Sequence, residues 1–547
     1  MKPTRVLLVF PRFGASSFWA LRDLCAVWGA RCPAPPLGLI TVAALLPPSW
    51  SFRLVDCNAE ELRDADIDWA DIVMTGGMLP QRPGTLEVMR RAKLRGKPVA
   101  VGGPDATSSP DAFSRAEFLI LGEAENVLAD FVRAWEGGSR TGIFRTERFT
   151  VDVATSPVPR FDLLNFEHYL YIGVQFSRGC PFNCEFCDII ELFGRLPRSK
   201  GNAQMLAELQ ALYDRGYRGH VDFVDDNLIG NKRALKRFLP ELIAWQQARG
   251  YPFQFSTEAS LNLADDAELL GLMRAANFFA IFTGIESPDT ETLIHTRKKQ
   301  NTRRDIADSV HKIYAAGMFV IAGFIVGFDT EGESVAQGMV DCIEATSIPV
   351  CMVGLLTALP DTQLSRRLER EGRLLPIAIP ADADAAGDQC TAGLNFKPLR
   401  PREEVLADYR SVLQAIYRPG AYFARVREVG RRLMRPHHES RFEFRAVVLR
   451  LAALGRLCRQ SLRPGLRWHF WRTVFDVLRH NPAALEFVLI LCAFYLHLGP
   501  FSRHVMAELE RQIGELERQI AGAQGVPVGS KVAEPIAGSS RRLKSVS

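Results

Sequence analysis

The chain has 547 residues, 47% of them hydrophobic and 24% charged, with a formal net charge of +5. That length exceeds what one hydrophobic core organises, so several packed units are expected, and the ordinary composition excludes a collagen-like or wholly disordered chain. Its 11 cysteines are too sparse for a disulfide scaffold, and three of them crowd one short segment, which suggests metal ligation in a reducing compartment.

The chain opens MKPTRVLLVFPRF, whose short apolar run reads as a strand and not as a signal peptide, so a cytoplasmic location is expected. Over residues 1–150, apolar runs at Val6 to Phe10, Phe52 to Val55, Ile72 to Thr75, Pro98 to Val101 and Phe118 to Leu121 alternate with helix-like stretches. Such spacing predicts an α/β unit with a parallel, doubly wound (Rossmann-like) sheet. Functional loops then belong at the strand C-terminal ends: Pro11 to Gly14, Asp56 to Asn58, Gly76-Gly77, Gly102-Gly103-Pro104 and Gly122-Glu123.

A connector with scattered prolines, about residues 144–164, leads into a second alternating series within 165–375. Its strand candidates are Ile172 to Phe176, Val221 to Val224, Phe253 to Thr257, Phe279 to Thr283, Phe319 to Ile325 and Met352 to Leu356. Six such units predict a partial (β/α)6 barrel, open where an eight-unit barrel would close.

Residues 376–522 pass through an Ala/Asp/Pro stretch into three- and four-residue apolar spacing, so this region should be mainly helical. Arginines crowd Arg418 to Arg479. That excess suits nucleic acid, anionic lipid or water; the usual nucleic-acid signatures are missing, so no nucleic-acid partner is expected and lipid ranks higher. Phe487 to Leu496 is uncharged but short of the ~20 residues a bilayer span needs, and it reads as a buried core helix. With Trp468, Phe470 and Trp471 upstream, the alternative is a helix lying peripherally at the inner membrane face. Leu509, Ile513, Leu516 and Ile520 share a heptad face, too few for a coiled coil, and residues 523–547 have the composition of a disordered tail.

The chemistry concentrates in FSRGCPFNCEFCDII, which follows the first barrel strand, so Cys180, Cys184 and Cys187 sit on a loop at that strand's C-terminal end. Three soft thiolates suit iron and sulfide. A structural zinc or chance clustering is the plainer alternative, but zinc sites normally show a second pair of ligands and none follows nearby. CxxxCxxC at this position resembles the radical S-adenosylmethionine (SAM) superfamily, over roughly residues 165–370. The resemblance implies a 4Fe-4S cluster held by these three cysteines, with SAM chelating the fourth iron and a flavodoxin- or ferredoxin-type electron donor.

Further positions match residue by residue. Phe186 resembles the residue that contacts adenine; Asp225 and Asp226 stand where the methionine amino group is received, without the usual glycine pair and glutamate. The alternative for these two aspartates is a helix N-cap. Glu258 and Glu286 end the third and fourth strands, where a carboxylate takes the ribose hydroxyls, and Gly323, Ile325 and Gly327 fit the fifth-strand GxIxG pattern that supports adenine.

A doubly wound unit placed before such a barrel resembles the cobalamin-binding class of that superfamily, with Gly38, Gly102, Gly103, Gly122 and Glu123 in its loop positions. Residues 1–150 contain no histidine, so a lower protein ligand to cobalt is not expected from this unit; a nucleotide-type or vestigial domain is the alternative. The run SRGCPFNCEFCDIIELFGRLPRSK, the strand-end VDDN and the helical C-terminal region together resemble the hopanoid methylases and their relatives. That implies a methyltransferase acting on an unactivated carbon of an apolar small molecule such as a hopanoid-like lipid. A cobalamin-dependent cyclase or oxidase without methyl transfer, and a non-enzymatic iron-sulfur sensor or scaffold, stay open.

Overall fold

The computed structural model of the chain describes residues 3–14, 17–376, 388–436 and 444–523. The tail read as disordered lies outside them almost entirely.

Six strands form the first sheet: β1 (Arg5–Phe10), β2 (Ser51–Asp56), β3 (Ile72–Gly76), β4 (Val99–Gly102), β5 (Phe118–Leu121) and β6 (Gly142–Arg145). Their order is β2-β1-β3-β4-β5-β6, and every pairing is parallel. Alternate strand residues feed two separate cores. Leu7, Val9, Val73 and Val101 pack on one face, while Val6, Leu8, Met74 and Ile120 pack on the other. Helices cover both faces, as a doubly wound sheet requires. The reversal of strand order beside β1 opens a crevice at the strand C-terminal ends, where ligands of such sheets bind. The sixth strand lies at the start of the stretch read as a connector.

After β7 (Ile172–Val174), a two-stranded antiparallel ribbon, β8 (Ser177–Arg178) and β9 (Arg198–Ser199), brackets the cysteine segment. The barrel continues through β10 (Gly219–Phe223), β11 (Phe253–Glu258), β12 (Phe278–Glu286), β13 (Phe319–Val326) and β14 (Val350–Leu355). These pair in parallel in sequence order, β7-β10-β11-β12-β13-β14, and β7 does not pair with β14. All six expected strands are present and the expected opening is there. Along β11 burial alternates strictly, so Gln254, Ser256 and Glu258 share the less buried, inward face.

Helices Arg402–Ile416, Pro419–Arg432, Phe444–Ser461, Arg467–His480 and Leu485–Ala523 make up the C-terminal layer. It docks against β14: the Tyr409 hydroxyl donates to the carbonyls of Val353 and Cys390 at 2.8 Å, and buried Arg425 donates to the Ile348 carbonyl at 2.9 Å. The last helix is long and apolar enough to cross a membrane, yet Phe487, Val488, Leu491, Cys492 and Leu496 are buried. The core reading of Phe487 to Leu496 therefore holds. Leu509 is buried where this helix packs on Arg402–Ile416, so the heptad face serves an intramolecular contact at that point, and the Ile520 side chain lies outside the description.

Candidate functional site

The cysteine loop is held by its backbone before any ligand is considered. Gly179 has φ +97°, and a Cβ there would meet the Gly194 carbonyl oxygen at 2.9 Å, so only glycine admits the turn into Cys180. The Cys180 amide donates to that same carbonyl at 3.2 Å, and the Glu185 amide donates to the Thr296 carbonyl at 3.0 Å.

Asp225 and Asp226, which follow β10, fasten the loop from below. The Asp225 carboxylate accepts from the Phe176 amide at 2.9 Å, the Ser177 amide at 2.5 Å and the Ser177 hydroxyl at 2.6 Å. Asp226 accepts from the Gly179 amide at 2.8 Å. Both oxygens of Asp225 are thereby engaged, so it positions the loop and neither caps a helix nor offers a free acceptor; Asp226 keeps one oxygen.

Asn227, next in the chain, was not singled out from sequence. Its side-chain amide reaches Cys180 Sγ at 3.8 Å, as the Gln300 amide reaches Cys184 Sγ at 3.8 Å. Burial pushes all three thiols up, Cys187 furthest, and Cys180 and Cys184 add to the effect at Cys187, so the sulfurs are close enough to sense one another. No three His, Cys, Asp or Glu side chains among the described residues converge on a point that would hold one metal ion. A single zinc needs such convergence, whereas a four-iron cluster binds each thiolate to a different iron and wants them spread around it. N–H donors aimed at two sulfurs fit the cluster further.

Glu286 ends β12 at φ +68° and pairs with buried Lys298 at 2.7 Å. A Cβ on Gly284 would lie 2.1 Å from Glu286 Oε1, so the glycine makes room for the folded-back carboxylate. Burial opposes the Lys298 charge, but Glu286 and Cys184 outweigh it and raise its pKa above the usual ammonium value. Lys298 sits 5.9 Å from the Phe186 ring and thus brings a fixed positive charge beside the cysteine loop. Its run RKKQN reads in sequence as a solvated charge cluster, which is why it escaped notice.

Phe186 packs 5.8 Å from Phe328. Gly323 and Ile325 lie on β13; Gly327 follows at φ +110°, its amide donating to Glu331 Oε2 at 2.7 Å. Glu258 does not pair like Glu286: its Oε2 is buried with no partner, and burial together with Asp222 raises its pKa well above the carboxylate range.

A cavity of about 2220 Å³ runs from the ends of β1, β2 and β3 (Arg12, Phe13, Asn58, Met78) into the barrel at Ser256, Glu258 and Phe282. Small-molecule pockets usually occupy ~300–1,000 Å³, so there is room for a bulky cofactor as well as a substrate. Gly38, Gly102, Gly103, Gly122 and Glu123 do not line it. Gly38 lies in the first turn of the helix Leu37–Leu45 with open space around it, and Gly103 and Gly122 have positive φ at the turns after β4 and β5. The Glu123 carboxylate pairs with Arg178 at 3.0 Å and Arg198 at 2.8 Å, bracing the cysteine-bearing ribbon against the first sheet.

Three thiols on a glycine-hinged loop at the C-terminal mouth of an open, six-stranded parallel barrel define a radical SAM enzyme. The radical SAM superfamily profile matches residues 174–343, and a domain of unknown function, DUF4070, matches 362–511. An uncharacterized methyltransferase of Synechocystis sp. (strain ATCC 27184 / PCC 6803 / Kazusa) is 44% identical over 93% of this chain and 94% of its own length. A hopanoid C-2 methylase of Rhodopseudomonas palustris (strain TIE-1) is 37% identical over 77% and 78%. The chain belongs to the radical SAM superfamily and, within it, to the methyltransferase family of these two relatives. Its fold is that of the cobalamin-dependent radical SAM enzyme OxsB with aqua-cobalamin and SAM bound (TM-score 0.58, 15% identity, covering 97% of this chain and 82% of that one). It is also that of the methyltransferase TsrM from Kitasatospora setae (TM-score 0.56, 14%, 88% and 100%).

Proposed function

We propose that this protein is a cobalamin-dependent radical SAM methylase that adds a methyl group to an unactivated carbon of a polycyclic isoprenoid such as a hopanoid. The observation that carries the reading is the cavity that joins the strand ends of the first sheet to the barrel interior as far as Glu258. The identity shared with a hopanoid C-2 methylase supports the substrate class.

When bound, the 4Fe-4S cluster with SAM supplies a hydrogen-abstracting radical and cobalamin supplies the methyl donor. Cys180, Cys184 and Cys187 would hold the cluster, with Asp225 and Asp226 keeping their loop in place. Lys298 stands ready for an anionic group such as the SAM carboxylate, the remaining oxygen of Asp226 for the amino group, and Glu258, with its spare buried oxygen, for the ribose. Phe186, Gly323, Ile325 and Gly327 would flank adenine. Arg12, Phe13, Asn58 and Met78 would face the corrin, and Gly38, Gly102, Gly103 and Gly122 shape the loops behind it. Phe279, Phe282 and Phe319 would exclude water from the substrate.

Peripheral contact with the inner membrane face belongs to the same reading. Leu451, Trp468 and Phe475 are 62%, 69% and 64% exposed on the arginine-rich helices Phe444–Ser461 and Arg467–His480, an arrangement suited to anionic lipid. A flavodoxin- or ferredoxin-type donor would supply the electron. The test is anaerobic turnover with cobalamin supplied: 5′-deoxyadenosine and S-adenosylhomocysteine should form in about equal amounts, since each chemistry is needed once per turnover. Substrate loss with 5′-deoxyadenosine but no S-adenosylhomocysteine would decide for a cyclase or oxidase.

A further inference from the structure

Below the strand-end groups, the barrel holds a polar cluster that the chemistry above does not use. Asp222 on β10 and Ser256 on β11 face each other in register. The Ser256 hydroxyl donates to Asp222 Oδ1 and lies 2.6 Å from His220 Nε2. The His220 ring lies tilted against Tyr171 at 4.9 Å and meets the edge of Phe279 at 4.9 Å. All five residues line the large cavity.

Asp222 is 8% exposed, and among the described residues its second oxygen has neither a hydrogen-bond partner nor an ion pair. An acceptor left open at a cavity wall is available to any donor that enters the cavity. Here the open oxygen looks into a cavity whose neighbouring walls are Phe279, Phe282, Phe319 and Phe487. Burial pushes Asp222 up to about 6, and burial together with Asp222 holds Glu258 well above the carboxylate range. His220 is held neutral, its pKa lowered to about 3 by burial. The cluster therefore presents an open acceptor oxygen and no fixed cation, and its complement is a neutral donor such as a hydroxyl.

We infer that Asp222, with Ser256 and His220 behind it, anchors a hydroxyl carried by an otherwise apolar polycyclic substrate. This rests on the substrate class proposed above and adds to it a polar end and a direction. Asp222 precedes Asp225 by three residues, so at ~3.3 Å per residue the anchor lies roughly 10 Å below the loop that holds the cluster. The hydroxyl is thus fixed away from the reacting carbon. Its distance along the ring system selects which carbon meets the radical.

The experiment measures equilibrium binding to the cluster- and cobalamin-loaded protein in detergent, using the fluorescence of Trp19 and Trp28, which line the cavity. The probes are a pentacyclic triterpene with a hydroxylated side chain, the corresponding hydrocarbon, and the corresponding side-chain amine. The alcohol should bind about tenfold or more tightly than the hydrocarbon, the scale of a hydrogen bond to a charge-sharing acceptor. Asp222→Leu should abolish that preference and leave hydrocarbon binding unchanged. Ser256→Ala, a milder change that keeps the fold if Asp222→Leu does not, should weaken it severalfold. Equal binding of alcohol and hydrocarbon to the parent protein, an unchanged preference in Ser256→Ala, or tighter binding of the amine than the alcohol would each overturn the anchor while the polycyclic class stands. Failure of all three probes to bind would overturn both.

Discussion

Replacing Lys298 by Met removes one half of a buried ion pair whose side chains are only 10% and 11% exposed and whose charges are 2.7 Å apart. At an effective dielectric constant of about 20 the gross attraction is about 6 kcal/mol, most of it offset by the cost of taking both groups out of water. The single variant still carries that cost for Glu286 with nothing to offset it, so it should lose about 3–5 kcal/mol of stability. Lys298→Met/Glu286→Leu, which removes both charges and keeps the volume filled, should stand within about 1–2 kcal/mol of the parent. Denaturant unfolding of the metal-free protein, followed by tryptophan fluorescence, gives both numbers. A second readout separates folding from function: reductive cleavage of SAM should be lost in the double variant even though its stability returns, because the ammonium beside the cysteine loop is gone. Equal stability of the single and double variants would refute the reasoning, as would full SAM cleavage by the double variant.

Changing any of Cys180, Cys184 or Cys187 to Ala should remove the cluster absorption and 5′-deoxyadenosine formation, while Cys342→Ala should leave iron content intact. Asp225→Ala strips acceptors from two buried amides and the Ser177 hydroxyl, so iron retention on gel filtration should fall and stability should drop by about 2–4 kcal/mol, read by denaturant unfolding. Glu331 is pushed up to about 7 by burial, and one of its oxygens has no partner. A carboxyl raised in the fold binds its proton more tightly there than in the unfolded chain, so its contribution is most favourable below its unfolded pKa and is lost as pH rises toward 7. Glu331→Gln should therefore melt higher than the parent at pH 8, by at most about 3 kcal/mol in stability, and alike near pH 4.5. Cob(II)alamin bound to the protein should show no coupling to a protein nitrogen, since residues 1–150, the unit proposed to face the corrin, contain no histidine; spectroscopy that finds protein nitrogen coupling would overturn that coordination.

The barrel was legible because each strand is a compact apolar run separated by amphipathic helices, and the cysteine spacing stands out without any structure. β6 was not, because GIFR alternates half-buried and exposed residues at a sheet edge and looks like the polar connector that follows it. Lys298 and Asn227 were missed for a related reason: their roles depend on partners such as Glu286 and Cys180, which only folding brings together. The bracing role of Glu123 was not legible, because nothing local reveals that Arg178 and Arg198 converge on it. Asp222 drew no notice since, two residues before the VDDN loop, it looks like one more strand residue; only the register of β10 against β11 sets it opposite Ser256 in the cavity.

The most direct test of the central claim is isotopic. A hopanoid deuterated at its candidate methylation carbon, incubated anaerobically with the reconstituted protein, cobalamin, reductant and methyl-labelled SAM, should transfer deuterium into 5′-deoxyadenosine and yield a product carrying the labelled methyl group. Deuterated 5′-deoxyadenosine accompanied by a product without the label would contradict the methylase assignment, and label in the product with no deuterium in 5′-deoxyadenosine would contradict the radical route to it.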